Sequence, residues 1–408
     1  MSDKLIPVAE ARTRLLFYAD RLGGETVPIT EAGGRVLVQD LKALRTQPPQ
    51  PVSAMDGYAV RNNDIKKVPV NLLVVGQSAA GHPFSGSVGP GEAVRIFTGA
   101  VVPNGADTVT VQENVFAVGD NLVRANKSDP LGRNIRAAGL DFTNGETVLK
   151  AGTVLDAGAL CLAAAANHPT VRVVRRPSVA ILATGDELLL PGSTPGPGQI
   201  IASNTFGVAM IASEAGATVV DLGIVPDREK ELAEALDKAK QIGCDVLVTL
   251  GGASVGDHDL VQRVFVGKGM TLGFWKIAMR PGKPLMSGRY DGLRILGLPG
   301  NPVSALVCAH LFLGPLIEKL GGRKSALRRE TALLDAPIHA NDSREDYMRG
   351  RARRDNSGRL HVSAFELQDS SMISTFAQSD VLIVRPPKAP AAAVGDPVEV
   401  ILLKSPYI

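Results

Sequence analysis

Three features of the sequence point to a multidomain protein of the α/β plus β class. From Pro177 onward, strand-like and helix-like runs alternate over about 150 residues, which implies a parallel sheet covered by helices on both faces. Residues 53 to about 141, and again 328 to 408, break instead into short alternating runs punctuated by glycine, so each reads as a β domain. The length of 408 residues also exceeds one ordinary domain, so two to four cores are expected.

Taken in order, Pro7 to Leu22 has apolar residues at helical spacing (Val8, Leu15, Leu16, Tyr18, Ala19, Leu22) and stops at Gly23-Gly24, an amphipathic helix with a glycine C-cap. Pro48-Pro49-Gln50-Pro51 breaks the chain before the β insert, whose runs are 70–75, 92–98, 108–112 and 122–125. A second helix over 157–167 joins the first in a connecting domain made of two separated segments. The α/β part predicts strands at 178–183, 218–225, 245–250, 273–279 and 293–298. Its helices fall at 203–216, capped by Ser203 or Asn204, and from Asp227 to Gly243. The closing β domain shows runs at 331–336, 347–353, 360–365, 381–384 and 398–403. The expected boundaries are therefore 1–47 with 140–175 (connecting), 48–139 (β insert), 176–325 (α/β) and 326–408 (closing β domain).

Composition excludes several classes. A net charge of +3 gives no case for a nucleic-acid or membrane partner. Met1-Ser2-Asp3-Lys4-Leu5 has no apolar signal core, and no run is expected to be long enough to span a bilayer. Cys161, Cys244 and Cys308 are widely spaced and sit in apolar surroundings, without a CxxC pair or disulfide framework, so a reducing cytoplasm is the expected compartment.

The chemistry concentrates between Val246 and Leu320, where three loops follow apolar runs. Thr249-Leu250-Gly251-Gly252-Ala253-Ser254-Val255-Gly256-Asp257-His258-Asp259 offers bare backbone N–H groups to an anion, with a helix beyond it. Met279-Arg280-Pro281-Gly282-Lys283-Pro284 supplies two cations on a rigid turn. Leu298-Pro299-Gly300-Asn301-Pro302 opens a helix, with Asn301 at the N-cap and Pro302 at the first helical position. A single glycine turn is structural in most α/β proteins, and neither a Walker loop nor a dinucleotide fingerprint is present. Three such loops at strand ends of one unit are a different matter, because ligands of open α/β sheets sit there.

Carboxylates join them: Asp186-Glu187 in Thr184-Gly185-Asp186-Glu187-Leu188, then Asp227, Asp257 and Asp259. Such hard oxygen ligands suit Mg²⁺, which takes one or two carboxylates, waters and substrate phosphate oxygens. The plain alternative for Asp227 is a helix cap. In the β insert, Asp56 and Thr98 read as turn residues. Arg349, Arg351 and Arg353 alternate on one strand without interleaved aromatics, which favours a solvated or small-anion-binding face over nucleic acid.

Eight strings together resemble the MoeA and gephyrin E-domain family, the molybdopterin molybdenumtransferases. They are Ser53-Ala54-Met55-Asp56-Gly57-Tyr58-Ala59, Phe97-Thr98-Gly99 with Gly105-Ala106-Asp107, Arg136 to Asp141, and Thr184 to Leu188. The others are Ser203-Asn204-Thr205, Gly251 to Gly256, Arg280 to Pro284 and Leu298 to Pro302. They cover essentially the whole chain in the family's order. The resemblance implies four subdomains, with a parallel-sheet unit of MoaB/MogA type, and an elongated homodimer. It implies insertion of molybdenum from molybdate into adenylylated molybdopterin, with Mg²⁺-dependent release of AMP. A molybdopterin adenylyltransferase and molybdoenzyme-delivery proteins are the implied partners.

Carried over residue by residue, Asp186, Glu187, Asp227 and Asp259 match the family's catalytic carboxylates around pterin phosphate and metal, with Asp186, Glu187 and Asp259 on the Mg²⁺. Gly251, Gly252 and Ser254 match its phosphate loop. Thr184, Asn204, Pro299, Asn301 and Pro302 match further substrate contacts, and Asp56, Thr98 and Asp141 those of the β-rich half that a partner subunit brings over the cleft. Arg280, Lys283, Pro284, Arg349 and Ser371 match the molybdate site. Departures from the pattern are Arg280 for a lysine, Leu250 for a serine, Val52 for an asparagine, and Asp369-Ser370-Ser371 for Gly-Ser-Gly, which adds a negative charge. Competing readings are a pterin adenylyltransferase, a tungstate-specific paralogue and a non-catalytic scaffold. An adenylyltransferase would need neither the β insert nor the closing domain.

Overall fold

The strand β3 (Val246–Leu250) is buried along its whole length, and the larger part of the molecule is layered around it. In the computed structural model, residues 5–251, 260–324 and 327–404 are described. The chain forms two compact units, one of Met1–Glu25, Gly34–Val36 and Val174–Ile408, the other of Thr26–Gly33 and Leu37–Val173.

The larger unit comprises α1 (Val8–Phe17), β1 (Ser178–Thr184), α2 (Asn204–Glu214), β2 (Thr218–Val225), α3 (Glu229–Ile242), β3, α4 (Leu260–Gly267), β4 (Thr271–Trp275), β5 (Met279–Arg280), β6 (Met286–Tyr290), β7 (Leu293–Leu298) and α5 (Pro302–Cys308). A π-helical turn (Ala309–Leu313) leads into α6 (Gly314–Leu320). Strand order is β2-β1-β3-β7-β6-β4. Alternate side chains go to opposite cores: Ile181, Val248 and Leu296 face one, Leu182, Leu247 and Ile295 the other. Continuous apolar runs such as Val246 to Leu250 are what a doubly covered sheet requires.

The expected all-parallel sheet needs correction. β2, β1, β3 and β7 are parallel, but β6 pairs antiparallel with β7 and with β4. Only the turn around Asp291-Gly292 separates β6 from β7, too short for a helical crossover, so the chain reverses in a hairpin. The expected strand 273–279 is likewise two strands, β4 and β5. The N-terminal helix ends at Phe17, and its Val8, Ala11 and Leu15 pack in the α/β core instead of joining the helix Ala157–Ala165. Asp227 does not cap α3. Arg228 holds that position without a side-chain bond, while Gly243 closes the helix in the left-handed conformation as expected.

Pro302–Leu320 is 19 residues of mean hydropathy 1.5, long and apolar enough to cross a membrane, contrary to the expectation that no run reaches that length. Its most apolar window is 83% buried inside the protein, where Val303, Leu311, Phe312 and Leu316 pack against α1, α2 and the sheet, so it is a core element. Cysteine placement needs a similar correction, because Cys161 is exposed while Cys244 and Cys308 are buried.

The chain then forms β8 (Arg329–Leu334), β9 (Glu345–Arg354), β10 (Leu360–Ala364), a short α7 (Ile373–Ala377), β11 (Val381–Arg385) and β12 (Pro397–Leu402). Pairing runs β9-β10-β8-β12-β11, and β11 returns to β9, closing a small barrel without free edges. Its interior is apolar, with Val362, Ile383 and Val400. β5 adds to β9 in parallel, Met279 opposite Glu345 and Arg280 opposite Asp346.

The second unit contains a six-stranded sheet ordered Thr108–Val111, Gly57–Val60, Glu92–Ile96, Val70–Ser78, Leu122–Ala125 and Val115–Gly119. One of its cores holds Ala59, Val94, Ile96 and Val109, and the other Val60, Ile65, Leu72 and Val123. Helix Ala157–Ala165 packs in a separate core with Leu37, Leu41 and Leu155, its N-terminus capped by the Asp156 carboxylate, which accepts from Ala159 N at 2.8 Å.

Gly57 sits where the first strand of this sheet meets its neighbour, and a Cβ there would overlap the Thr110 carbonyl oxygen. Gly57→Ala should therefore lower stability by about 1–3 kcal/mol, read as a lower urea midpoint at unchanged slope.

Candidate functional site

Loops at the C-terminal ends of β1, β3 and β7 meet because these strands are neighbours in the sheet. Gly251, directly after β3, takes a φ of +97°, and a side chain there would stand 2.6 Å from the Thr184 carbonyl oxygen at the end of β1. Its N–H donates to Leu298 O at 3.3 Å, at the end of β7. From α2, the Asn204 amide donates to Gly300 O at 2.7 Å, tying that helix to the Pro299-Gly300 turn. Thr184 and Thr249 each carry a buried hydroxyl oxygen with no protein partner. Unpaired hydroxyls at neighbouring strand ends are costly unless something else satisfies them.

Beside these loops lie Asp186, Glu187 and Asp227, all exposed. Asp227 is held above the ordinary carboxylate range, first by loss of water around its carboxyl and then by the charges of Glu187 and Asp186. Since the residue as a whole stays exposed, those two charges are the part of the shift that a bound cation can cancel. Among the described residues, no three acidic, histidine or cysteine side chains are close enough to hold a metal unaided. Gly252, Ser254 and Asp259 lie outside the described residues.

A second cluster lies where β5 joins the barrel. The Arg280 guanidinium donates through Nε to the Asp346 carboxylate at 3.0 Å and pairs with the same oxygen through a second nitrogen, with Asp342 and Asn341 at 3.4 and 3.5 Å. Its charge is thus already met, by partners that sequence reasoning missed. Their only signal is a pair of acids, Asp342 and Asp346, flanking Arg344.

Arg349 differs. It is 1% exposed, and among the described residues its terminal nitrogens donate to backbone oxygens of Tyr347 and Asp369 at 3.3 Å while its Nε has no acceptor. Burial, ahead of any neighbour, holds its guanidinium below its usual value. Of the expected row of arginines on β9, only Arg351 and Arg353 form a solvated face, paired with Gln378 and Asp335.

Lys283 is half-buried, with no ion-pair partner among the described residues, and its carbonyl accepts from Ile277 N and Leu285 N, which fixes the turn. Pro284 follows it, also half-buried. The Asp369 carboxylate accepts from both the backbone N–H and the hydroxyl of Ser371, at 2.8 and 2.6 Å, which explains the extra acid as a turn lock. The neighbouring Ser370 binds α5. Asn301, at the N-cap, turns its amide to Ser370 Oγ at 2.9 Å instead of capping, and Val303 N donates to Ser370 O. Pro302 takes the first helical position as expected.

In the smaller unit, Asp56 accepts from Thr98 N and Oγ1 at 2.7 and 2.8 Å, and these bonds, backbone first, hold its carboxyl below the usual range. Both residues lock a turn. Asp141 is exposed, with its N–H donating to Gln47 O.

Comparison with known proteins follows the same divisions. Residues 6–167 match the family described as MoeA N-terminal region (domain I and II), 180–319 a probable molybdopterin binding domain, and 331–403 the MoeA C-terminal region (domain IV). The chain is 35% identical over 378 residues to a molybdopterin molybdenumtransferase of Haemophilus influenzae, covering 92% of this chain and 93% of the relative. It is 32% identical over 410 residues to that of Bacillus subtilis, covering 98% and 94%. A crystal structure of the molybdopterin biosynthesis moea protein from Pyrococcus horikosii superposes with a TM-score of 0.81 at 29% identity, covering 98% of this chain and all of that one.

The carboxylate cluster makes a signed prediction. Because the folded state binds the Asp227 proton more tightly than the unfolded chain, this group favours folding fully only at low pH, and its contribution is lost as pH rises through the raised value. Asp227→Asn should therefore raise the thermal midpoint of metal-free protein by about 2–4 °C at neutral pH. The gain should vanish near about pH 3, where the carboxyl is protonated in both states. The same variant should lose most of the Mg²⁺-induced rise in midpoint.

Proposed function

Because the chain belongs to the MoeA family, we propose that it is the enzyme that inserts molybdenum from molybdate into adenylylated molybdopterin, with release of AMP. The observation that carries this reading is Arg349, a guanidinium buried to 1% exposure, its Nε unpartnered and a terminal nitrogen donating to Asp369 O in the loop that binds α5. Asp346 and Asp369 attract this guanidinium from beyond ion-pairing distance, so a compact dianion such as molybdate would complete its hydrogen bonding. Lys283, free of acid partners among the described residues, would supply the second positive charge. Arg280 contributes differently from the expectation of a direct ligand: bound to Asp346, it holds the cation-bearing turn against the barrel.

At the strand ends, Thr184, Gly251, Asn204 and the Pro299-Gly300-Asn301 turn present hydroxyl, N–H and amide groups to the phosphate and pterin portion. Asp186 and Glu187, with Asp259, would hold Mg²⁺ through one or two carboxylates plus substrate phosphate oxygens, and Asp227 would act beside them, since its carboxyl feels the charges of Glu187 and Asp186. When bound, that ion neutralises phosphate oxygens. The protein's own groups orient the two substrates and exclude water from the anion pocket. We place the reaction in the cytoplasm, in a homodimer, with the adenylyltransferase upstream and molybdoenzyme-delivery proteins downstream. Asp56, Thr98 and Asp141 would approach the cleft from the partner subunit.

The direct test incubates purified protein with adenylylated molybdopterin, Mg²⁺ and either molybdate or tungstate, following AMP release and metal retention. Lys283→Ala should raise the molybdate concentration needed at least tenfold, since a lost charge-assisted contact costs roughly 1.5–3 kcal/mol, yet leave pterin binding nearly unchanged. Asp186→Ala should abolish AMP release even at high molybdate. Joint loss of pterin affinity and molybdate dependence in Lys283→Ala would make the lysine a phosphate ligand instead. If the cleft uses both chains, mixed heterodimers of Asp56→Ala and Glu187→Ala should recover part of the activity that each lacks alone.

A further inference from the structure

The opposite end of the central sheet holds a cleft that the reaction does not use. The hairpin joining β6 to β7 lies at the N-terminal end of β7, away from the strand ends just described. Together with β4 and the last turn of α1 it encloses a cleft of about 690 Å³.

Its electrostatics are unfavourable as they stand. Arg289 and Arg294 are directly opposite each other across the β6–β7 ladder, which puts two like charges on one face of an antiparallel pair. Neither has an acid partner among the described residues. The acid on the rim, Asp291, is already paired with Lys240, and Arg14 with Glu10. The Arg294 Nε is buried without an acceptor, and among the described residues its guanidinium bonds through a terminal nitrogen to Tyr18 O at 3.1 Å. Burial first, and Arg289 second, hold the Arg294 guanidinium below its usual value. Arg289 stacks 5.5 Å from the Tyr18 ring, which is 57% exposed. Gly273 and Gly288, on β4 and β6, also line the cleft, with Met270 packed against Gly288.

We propose that this cleft binds a small organic anion carrying a flat ring, its phosphate or carboxylate between Arg289 and Arg294 and its ring against Tyr18. An anion between the two side chains cancels the cross-strand repulsion. The ring packs against the exposed Tyr18 wall. The site is independent of the molybdate reading, since it shares no residue with it.

Calorimetric titration of the full chain with phenyl phosphate and with benzoate tests this, with inorganic phosphate and phenol as controls. Saturable binding of one ring-bearing anion is expected, at least tenfold tighter than inorganic phosphate, with no binding of phenol; the tighter of the two identifies phosphate or carboxylate as the group recognised. Arg289→Gln, an exposed position whose loss removes repulsion, should stay folded and weaken binding at least tenfold, while Lys283→Ala should not change it. No binding at millimolar concentration, or equal binding by Arg289→Gln, overturns the proposal. So does a change of oligomeric state in Arg289→Gln by light scattering, which would make the cleft a contact between copies of the chain.

Discussion

The central sheet is covered on both faces, and that constraint decides where chemistry can occur. β3 has no exposed residue, and its neighbours β1 and β7 are nearly as enclosed, with only Ser178 and Arg294 partly open near their starts. Only the loops beyond their ends escape the two cores. Function is therefore confined to the ends of the sheet, and the C-terminal end gathers Thr184, Gly251 and the Pro299-Gly300 turn simply because β1, β3 and β7 are adjacent.

At that end the protein tolerates arrangements that cost stability. Three carboxylates stand close enough for Asp227 to feel the other two, and two threonine hydroxyls are buried unpaired. In the barrel, Arg349 is buried among backbone carbonyls with one nitrogen unsatisfied. Each defect would be relieved by a ligand of the opposite character, a cation for the carboxylates and an oxyanion for the guanidinium. Other acids and arginines are matched, as in Arg175 with Asp245 or Arg353 with Asp335, while Arg12, Arg294 and Arg385 share with Arg349 a buried Nε without an acceptor.

The barrel enters the site through backbone pairing and one ion pair. β5 extends β9, and Arg280 is bound to Asp346 directly across that pairing. The fork of the guanidinium matters here, because Nε and a terminal nitrogen reach the same carboxylate, which a lysine could not do. Asp369, which stands where the family has glycine, locks the turn of Ser371, while Ser370 binds Asn301 at the start of α5. Arg280 and Asp369, two of the departures from the family pattern, thus both serve the barrel's side of the molecule.

The sequence alone determined the family, the α/β core and most strand positions, because apolar periodicity and glycine punctuation are local signals. β2 and β7 fall where periodicity puts them, and Gly243 ends its helix as its freedom at positive φ demands. The tertiary structure decided what depends on distant partners. It set the antiparallel direction of β4 and β6, moved α1 into the sheet's core, and gave the apolar run Pro302–Leu320 to the protein interior. It also separated Arg280 from Arg349. In the sequence both are arginines on strands near the candidate site, but one is hydrogen-bonded to Asp346 and the other to carbonyl oxygens. Charge is written locally, whereas its compensation comes from residues 66 positions away, and only folding brings these together.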